Sequence, residues 1–394
     1  VYKECKGVPK SNCLTKEQRL SLQMDEFMNR RYEFRYNTQI GEVEYRERFS
    51  FRFYFHPIDK RAQNSIMLDA QSEGIGVWDR DIDRYLHSNR VPIYNPLEEF
   101  LFHLPHWDGK DRIHALANRV PCNNPHWELL FHRWFLNMVS HWRGVNKMYA
   151  NSTSPILVGA QGTHKSTFCR EMIPPALRAY YTDSIDFSQK RDAELYLNRF
   201  ALINIDEFDQ ITLTQQGFLK HILQKPVVNL RKPHGRSVLE LQRYASFIGT
   251  SNQKDLLTDP SGSRRFICIE VTGNIDTTQP IDYEQLYAQA MHEISHGERY
   301  WFNSEDEQIM TENNREFEQT PAMLQLFYQY FRAPQAGEEG EFFTPVEILN
   351  YLKKKSGISL SDNKVYHFGR MLQKCGITSK HTYKGTVYQV VKIL

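Results

Sequence analysis

The chain has 394 residues, of which 40% are hydrophobic and 24% charged, and its formal net charge is +2 at pH 7. These proportions are typical of a globular protein of two or three domains, and no apolar run is long enough to span a membrane. The six cysteines are scattered without a Cys-x-x-Cys pair. The sequence therefore favours neither a zinc site nor a disulfide framework, and we expect a protein of the reducing cytoplasm.

The first 150 residues predict two regions. Residues 1–94 are expected to form an α+β region, in which Glu42 to Phe55 alternate polar and apolar as a half-exposed strand or hairpin does. Residues 95–150 are expected to form a helical region.

Four short apolar runs between residues 151 and 332 predict the strands of a parallel sheet. They cover residues 155–159, 200–206, 245–250 and 266–271. Strands that alternate with helices are typical of an α/β fold. Residues 333–343 are rich in Pro, Gly and Glu and predict a linker. Residues 344–394 would then form a separate C-terminal domain.

The segment after the first run has the residue types of a phosphate-binding loop, since residues 159–167 read Gly-Ala-Gln-Gly-Thr-His-Lys-Ser-Thr. In a P-loop the backbone N–H groups face an anion, a lysine reaches the terminal phosphates and a serine can ligate Mg²⁺. The common pattern has glycine where this chain has His164. We expect contacts with ATP from Gly159, Gly162, Thr163, His164, Lys165, Ser166 and Thr167.

Three further motifs follow in the order of an ATPase. Asp206 and Glu207 end the second run as a Walker B motif does, so Asp206 would hold Mg²⁺ with Ser166, and Glu207 would polarise the attacking water. Asn252 ends the third run and can orient that water. The paired Arg264 and Arg265 can supply an arginine finger.

Each of these motifs also has a purely structural interpretation. The acids can be solvated at a strand end, Asn252 can cap a turn, and the arginines can form surface ion pairs. The spacing favours a nucleotide site, because 41 residues separate Lys165 from Asp206 and 46 separate Asp206 from Asn252. Such distances suit strand–helix–strand units. A degenerate loop that binds nucleotide poorly remains the alternative at His164.

Taken together, the four motifs resemble the virulence-associated protein E family. The resemblance rests on V-G-A-Q-G-x-x-K-S-T-F, N-I-D-E-F, I-G-T-S-N and D-P-S-G-S-R-R-F, in that order, and on N-P-L-E-E-F-L with H-W-D-G-K-D-R-I over residues 95–113. It implies an α/β P-loop NTPase core, similar to superfamily 3 and AAA+ helicases of phages and mobile elements. It also implies a homo-oligomeric, hexameric ring in which Arg264 or Arg265 completes the neighbour's site.

The resemblance places a DNA-gripping hairpin between the second and third motifs. Residues 225–236 hold four basic residues, and by resemblance Lys232 and His234 could touch single-stranded DNA in the ring's central channel. Arg231 and Arg236 could contact phosphate. An exposed basic loop, or arginines that pair with a neighbouring subunit, are the alternatives.

The C-terminal domain is basic, with nine Lys or Arg against two acids and a net charge of +7. Its pattern of helix, helix and β-hairpin predicts a winged helix that could bind duplex DNA, with residues 361–375 as the recognition helix. A solvated basic helix or a protein-binding winged helix is the alternative. The candidate DNA contacts are Lys364, His367, Arg370, Lys374 and Lys384.

The sequence therefore predicts a DNA-dependent ATPase, a replicative helicase of a phage or mobile element that uses ATP and Mg²⁺ and binds no membrane. One alternative is a nucleotide-switched DNA-binding or loading protein with weak ATP turnover. Another is a non-enzymatic regulator or defence-associated scaffold with a vestigial P-loop.

Overall fold

The computed structural model describes residues 14–144, 149–230, 238–257, 260–319, 322–335, 337–357, 365–383 and 385–393. The chain divides into two compact units. The large unit comprises Val1–Lys254 and Asp259–Arg315, and the small unit comprises Asp255–Thr258 and Glu316–Leu394. Among the described residues, no helix combines the length and apolar character needed to cross a membrane.

The large unit begins with a region of helices and short strands. Its elements are α1 (Lys16–Arg31), β1 (Tyr32–Asn37), β2 (Glu42–Glu47), β3 (His56–Pro57), α2 (Lys60–Ser72), α3 (Asp79–Leu86) and β4 (Ile93–Tyr94). The strands form one sheet in the order β3-β2-β1-β4. Buried side chains from the helices and the sheet, including Phe27, Phe34 and Ile82, form a core of their own.

The segment Glu42–Phe55, predicted as a strand or hairpin, forms the first strand and the connecting loop of a hairpin, because β2 pairs antiparallel with β3. β2 ends at Glu47, and residues 48–55 form a loop with mostly exposed aromatic side chains. Glu47 pairs with Tyr32, the first residue of β1. Arg31, which precedes Tyr32, is the last residue of helix α1. Beyond Glu47, the backbone N–H of Arg48 still donates to the carbonyl oxygen of Arg31 at 2.9 Å, but Phe49, Phe51, Phe53 and Tyr54 are exposed, so the alternation does not reflect a buried face.

Helices α4 (Pro96–Phe102), α5 (Arg112–Ala117) and α6 (Trp127–Trp142) follow. Helix α6 is buried along most of its length, and Trp134, Phe135 and Trp142 have no exposed surface. A helix that is apolar on all sides belongs in a protein interior. Trp142 stacks on Tyr287 at 5.1 Å between ring centroids, so α6 lies in the core shared with the following sheet.

The centre of the large unit is a five-stranded parallel sheet. The elements in chain order are β5 (Ser154–Val158), α7 (Lys165–Glu171), β6 (Tyr181–Thr182), α8 (Lys190–Arg199), β7 (Leu202–Ile205), α9 (Leu213–Leu223), β8 (Val227–Leu230), β9 (Leu239–Gln242), β10 (Ser246–Ser251), β11 (Phe266–Glu270), α10 (Tyr283–Ser295) and α11 (Ser304–Asn314). The sheet order is β11-β5-β10-β7-β6, and every pairing is parallel.

All four strands predicted for this sheet are present, and the α/β class is confirmed. Strand β6 is not anticipated, because two residues at a sheet edge leave little periodic signal. The strand order places the carboxyl ends of β5, β10 and β7 side by side. It thereby brings together residues distant in sequence, such as Asp206, just after β7, and Thr250 in β10, which are 44 positions apart. In open α/β sheets this edge is where ligands bind.

Strands β8 and β9 form an antiparallel pair apart from the main sheet, with Leu230 opposite Leu239. They are the stem of the hairpin predicted from the sequence. Residues 231–237, which include the proposed tip, lie outside the described residues.

Arg243, one residue beyond β9, is fully buried and bonded to carbonyl oxygens. Its guanidinium donates to Ala245 at 2.9 Å, to Leu223 at 2.7 Å and to Lys225 at 2.8 Å. It also donates to Asn151 at 3.1 Å. Burial lowers its pKa to about 9. One side chain thus joins the end of α9, the base of the hairpin, the start of β10 and the segment before β5.

The small unit contains α12 (Ala322–Tyr330), β12 (Phe331–Arg332), β13 (Glu341–Phe343), α13 (Pro345–Ser356), α14 (Val365–Lys374), β14 (Ser379–Thr382) and β15 (Gly385–Lys392). The order of two helices followed by a hairpin agrees with the sequence pattern. Strand β15 is central and pairs antiparallel with β12, β13 and β14.

The compact C-terminal unit starts earlier than the sequence suggests, at Glu316 instead of residue 344. Phe327 of α12 and Phe331 of β12 are fully buried in the same core as Phe368 and Leu372. The stretch 333–343 is also not a plain spacer, because its last three residues form β13. A composition rich in Pro, Gly and Glu gives no local signal for a strand. Strand β13 forms because it pairs with β15, some 45 residues further on.

Candidate active site

Backbone conformation shapes the loop between β5 and α7. Gly159 ends the strand, and a Cβ there would lie 2.9 Å from the carbonyl oxygen of Val271, so only glycine allows this close approach. Gly162 has φ +85° and His164 has φ +64°. The position at which the P-loop pattern wants glycine is therefore left-handed, and a residue with a Cβ occupies it under strain.

Lys165 begins helix α7 and is buried. Its Nζ donates at 2.7 Å to the carbonyl oxygens of Gly159 and Ala160, and at 3.2 Å to Oδ1 of Asn252. Burial lowers the pKa of the ammonium, while the nearby Asp206 acts in the opposite direction. The buried ammonium of Lys165 is thus hydrogen-bonded only to uncharged oxygens in the described structure. From this position it can exchange them for the oxygens of an anionic ligand.

Oxygen atoms from three elements meet at the head of α7. Ser166 Oγ donates to Asp206 Oδ1 at 2.9 Å, and Thr250 Oγ1 donates to the same carboxylate oxygen. Hydroxyl and carboxylate oxygens are the ligands that Mg²⁺ takes in proteins. This donor set fits the predicted metal position at Ser166 and Asp206. It adds Thr250, which the sequence shows only as part of the polar Thr-Ser-Asn tip of an apolar strand.

Asp209 is a site residue that sequence reasoning missed. Its Oδ1 accepts from Ser251 Oγ at 2.8 Å and from the backbone N–H of Asn252 at 3.4 Å. Asp209 therefore fixes the tip of β10 from which Asn252 extends. The only sequence signal is a third acid shortly after Asp206 and Glu207, and its partner lies 42 positions away.

Glu207 follows Asp206 with φ +52°. In the part of the chain that the structure describes, Glu207 and His164 are the two non-glycine residues with positive φ. Both border the same cleft. Strained backbone of this kind persists where the surrounding structure over-determines it, and it concentrates at functional sites.

These groups line one polar cleft of about 310 Å³ at the carboxyl edge of the sheet. It contains every predicted nucleotide-binding residue except Gly159, together with Asp206, Glu207 and Asn252. The full lining is Gln161, Gly162, Thr163, His164, Lys165, Ser166, Thr167, Asp206, Glu207, Thr250, Ser251 and Asn252.

The predicted arginine finger lies elsewhere in the large unit. Arg264 and Arg265 line a separate cleft of about 720 Å³ with Trp301 and Glu307. Arg264 is exposed and forms an ion pair with Glu307 at 2.9 Å. The structure therefore does not bring either arginine to the cleft that contains Lys165.

For most of the candidate DNA-binding residues, the side chain lies outside the described structure. Arg231, Lys232, His234 and Arg236 lie outside the described residues, as do Lys364 and Lys384. Helix α14 carries the other three. Arg370 is exposed there, with its guanidinium 4.5 Å from the centroid of the Tyr366 ring. The described structure does not extend to the side chains of His367 and Lys374.

The fold and cleft define an α/β protein with a polar site at the carboxyl edge of a parallel sheet. A family model described as the virulence-associated protein E-like domain matches residues 101–319. The chain belongs to this family. A second model, a domain of unknown function from B. Theta (DUF3874), matches residues 320–390. The boundary between the two matches lies close to the start of the small unit at Glu316.

No curated protein matches the chain. Among solved structures, the apo structure of the NrS-1 C terminal region (305–718) is similar to 96% of this chain over 100% of its own length, at 12% identity and a TM-score of 0.48. The A form apo structure of the NrS-1 C terminal region covers 94% of this chain and 99% of its own, at 11% identity and a TM-score of 0.43.

Proposed function

We propose that this protein is a DNA-dependent ATPase of helicase type that acts in the replication of a phage or other mobile element. The observation that carries the proposal is the convergence of Lys165, Asp206 and Asn252 in one polar cleft. These residues come from three segments far apart in sequence, each at the carboxyl end of a neighbouring strand. This arrangement supports nucleotide binding more directly than any one motif does.

The loop and Lys165 would bind the triphosphate. Lys165 Nζ would exchange the carbonyl oxygens of Gly159 and Ala160 for oxygens of the β- and γ-phosphates. The exchange is favourable because a buried ammonium on neutral acceptors gains an opposite charge. Gly162 allows the loop backbone to turn its N–H groups towards the phosphates.

Ser166 and Asp206 would hold Mg²⁺, with Thr250 orienting the shared carboxylate. The ion would neutralise phosphate charge when bound. Glu207 would accept a proton from the attacking water, and Asn252 would orient that water. Asp209 acts through Asn252 by fixing its backbone, and it is a positioning residue.

Arg264 and Arg265 would complete the site of a neighbouring copy in a ring, which we propose to be a hexamer. Their location outside the cleft of their own P-loop supports a role in trans. An arginine supplied in trans stabilises transition-state charge in phosphoryl transfer.

The hairpin tip between β8 and β9 would contact single-stranded DNA in the channel. The small unit, as a winged-helix-like module, would contact duplex DNA.

The test is ATP hydrolysis at increasing concentrations of single-stranded DNA. We expect DNA to stimulate turnover and Lys165→Ala to abolish both nucleotide binding and turnover. Lys254→Ala is the matched control, because that exposed lysine pairs with Glu270 away from the cleft lining. A Lys165→Ala protein that hydrolyses ATP as fast as the parent would refute the site.

The strain at His164 favours a second candidate, a nucleotide-switched DNA-binding or loading protein with slow turnover. The parent and His164→Gly distinguish the two functions. A switch would bind ATP without DNA-stimulated hydrolysis in the parent, and the glycine variant would hydrolyse faster. A motor would show stimulation in both proteins. Absence of nucleotide binding by calorimetry would favour instead a defence-type or regulatory scaffold.

A further inference from the structure

Residues 48–55, here called the aromatic loop, present an unusual concentration of exposed rings. Phe49, Phe51, Phe53 and Tyr54 are 85%, 95%, 77% and 65% exposed, respectively. Single exposed apolar side chains are common in proteins, but a contiguous group of large ones marks an interaction surface. The loop precedes the segment that the family models match, which starts at residue 101.

Both ends of the aromatic loop are anchored to the domain beneath it. Arg46 donates to the carbonyl oxygen of Phe53 at 2.9 Å, and its guanidinium lies 4.7 Å from the ring centroid of Phe55. Arg48 donates to the carbonyl oxygen of Asn29 at 2.8 Å. The exposed rings therefore project from a fixed base and are not core residues displaced from a strand.

The residue types of the loop indicate what it binds. Residues 48–55 contain five aromatic residues, two arginines and a serine, but no acidic and no aliphatic residue. Flat rings interleaved with cations are the means by which proteins hold single-stranded nucleic acid, since every base has a face that stacks and every nucleotide carries a phosphate. A lipid-inserting or apolar protein-docking loop would gain from aliphatic side chains as well.

The exposure of the individual ring faces agrees with this interpretation. In the described part of the chain no ring contact is found between any two of Phe49, Phe51 and Phe53, so their faces are not covered by one another. Each of the three exposed rings therefore offers a face on which a base can stack.

We propose that the aromatic loop is a binding element for single-stranded nucleic acid. Bases stack on Phe49, Phe51 and Phe53, and Arg52 contacts the phosphates between them. The inference rests on the proposed function in so far as a DNA motor must hold a single strand. It adds a contact in the N-terminal region, separate from the hairpin and the small unit.

The experiment measures binding of the full chain, without nucleotide, to a fluorescent oligothymidine of about 20 nucleotides, a length that exceeds typical site sizes. We expect the triple variant Phe49→Ala, Phe51→Ala, Phe53→Ala to bind roughly tenfold or more weakly. The matched control Trp78→Ala, Phe102→Ala removes two other exposed rings and should bind like the parent. Arg52→Gln should reduce the salt dependence by about one phosphate contact.

A triple leucine variant at the same three positions separates stacking from general apolar contact. It should bind as weakly as the alanine variant, whereas parent-like binding by leucine would overturn the inference. Equal binding by the alanine variant and the parent would also overturn it and leave the proposed ATPase intact. Binding of the parent to anionic lipid vesicles but to no oligonucleotide would assign the loop to a membrane surface, and would count against both proposals.

Discussion

At the scale of one residue, the departure of His164 from the P-loop pattern has a conformational cost. Its left-handed conformation costs an L-residue about 1–2 kcal/mol, and glycine avoids this strain but loses about 0.5–1 kcal/mol of chain entropy. We therefore expect His164→Gly to stabilise the protein by about 0.5–1 kcal/mol. Urea unfolding measures the change, with His164→Ala as the control that retains a Cβ. Greater stabilisation by alanine than by glycine would contradict the explanation.

His141 gives a second prediction at this scale, on pH. Its Nε2 accepts from the backbone N–H of Asn151 at 2.9 Å, and burial, with Arg243 nearby, lowers its pKa to about 3. The unfolded chain has the usual pKa near 6.5, so it binds the proton first as the pH falls. Stability is therefore lost progressively between about pH 6.5 and pH 3, with a loss of about 2 kcal/mol from pH 7 to pH 5.

Denaturant unfolding at pH 7 and pH 5 checks this expectation. His141→Gln retains an acceptor for Asn151 but cannot be protonated in this range, so the variant should lose much less stability on acidification. An equal loss in the variant would show that other groups control the acid sensitivity.

At the scale of elements, Arg243 connects the hairpin to the sheet. It donates to carbonyl oxygens of α9, of the hairpin base and of the segment before β5. Arg243→Met leaves several buried acceptors without donors, and we expect a loss of about 2–4 kcal/mol in unfolding free energy. Arg243→Lys can restore only some of these hydrogen bonds, so its unfolding free energy should fall less. A methionine variant as stable as the parent would show that these bonds contribute little.

At the scale of the whole molecule, the limits of the small unit can be tested with fragments. Residues 316–394 include α12 and β12, whose Phe327 and Phe331 are buried in the core of the unit. Each such side chain contributes about 1.5–3 kcal/mol by burial. We expect a fragment of residues 316–394 to fold cooperatively, and one of residues 344–394 to remain unfolded. Circular dichroism on heating compares them, and a cooperative transition in the shorter fragment would support the boundary drawn from composition.

Local patterns explain which parts of the molecule could be predicted. The four main strands of the parallel sheet are continuous apolar runs, and the capping box of α13 is contained in Thr344 to Glu347. The two-residue strand β6 and strand β13 could not be predicted in this way, because each depends on a partner distant in sequence. The alternation of residues 48–55 is local, but these residues form the loop of the β2–β3 hairpin, and the second strand begins only at His56.

The sequence by itself determined the family, the α/β class and the order of the motifs from Gly159 to Arg265, because these reside in short continuous segments. Only the tertiary structure decided that Lys165, Asp206, Thr250 and Asn252 share one cleft and that Arg264 and Arg265 lie outside it. It also decided that Asp209 bonds to Ser251 and Asn252. Those relations depend on the order of strands in the sheet. That order is set by long-range packing, which no local pattern records.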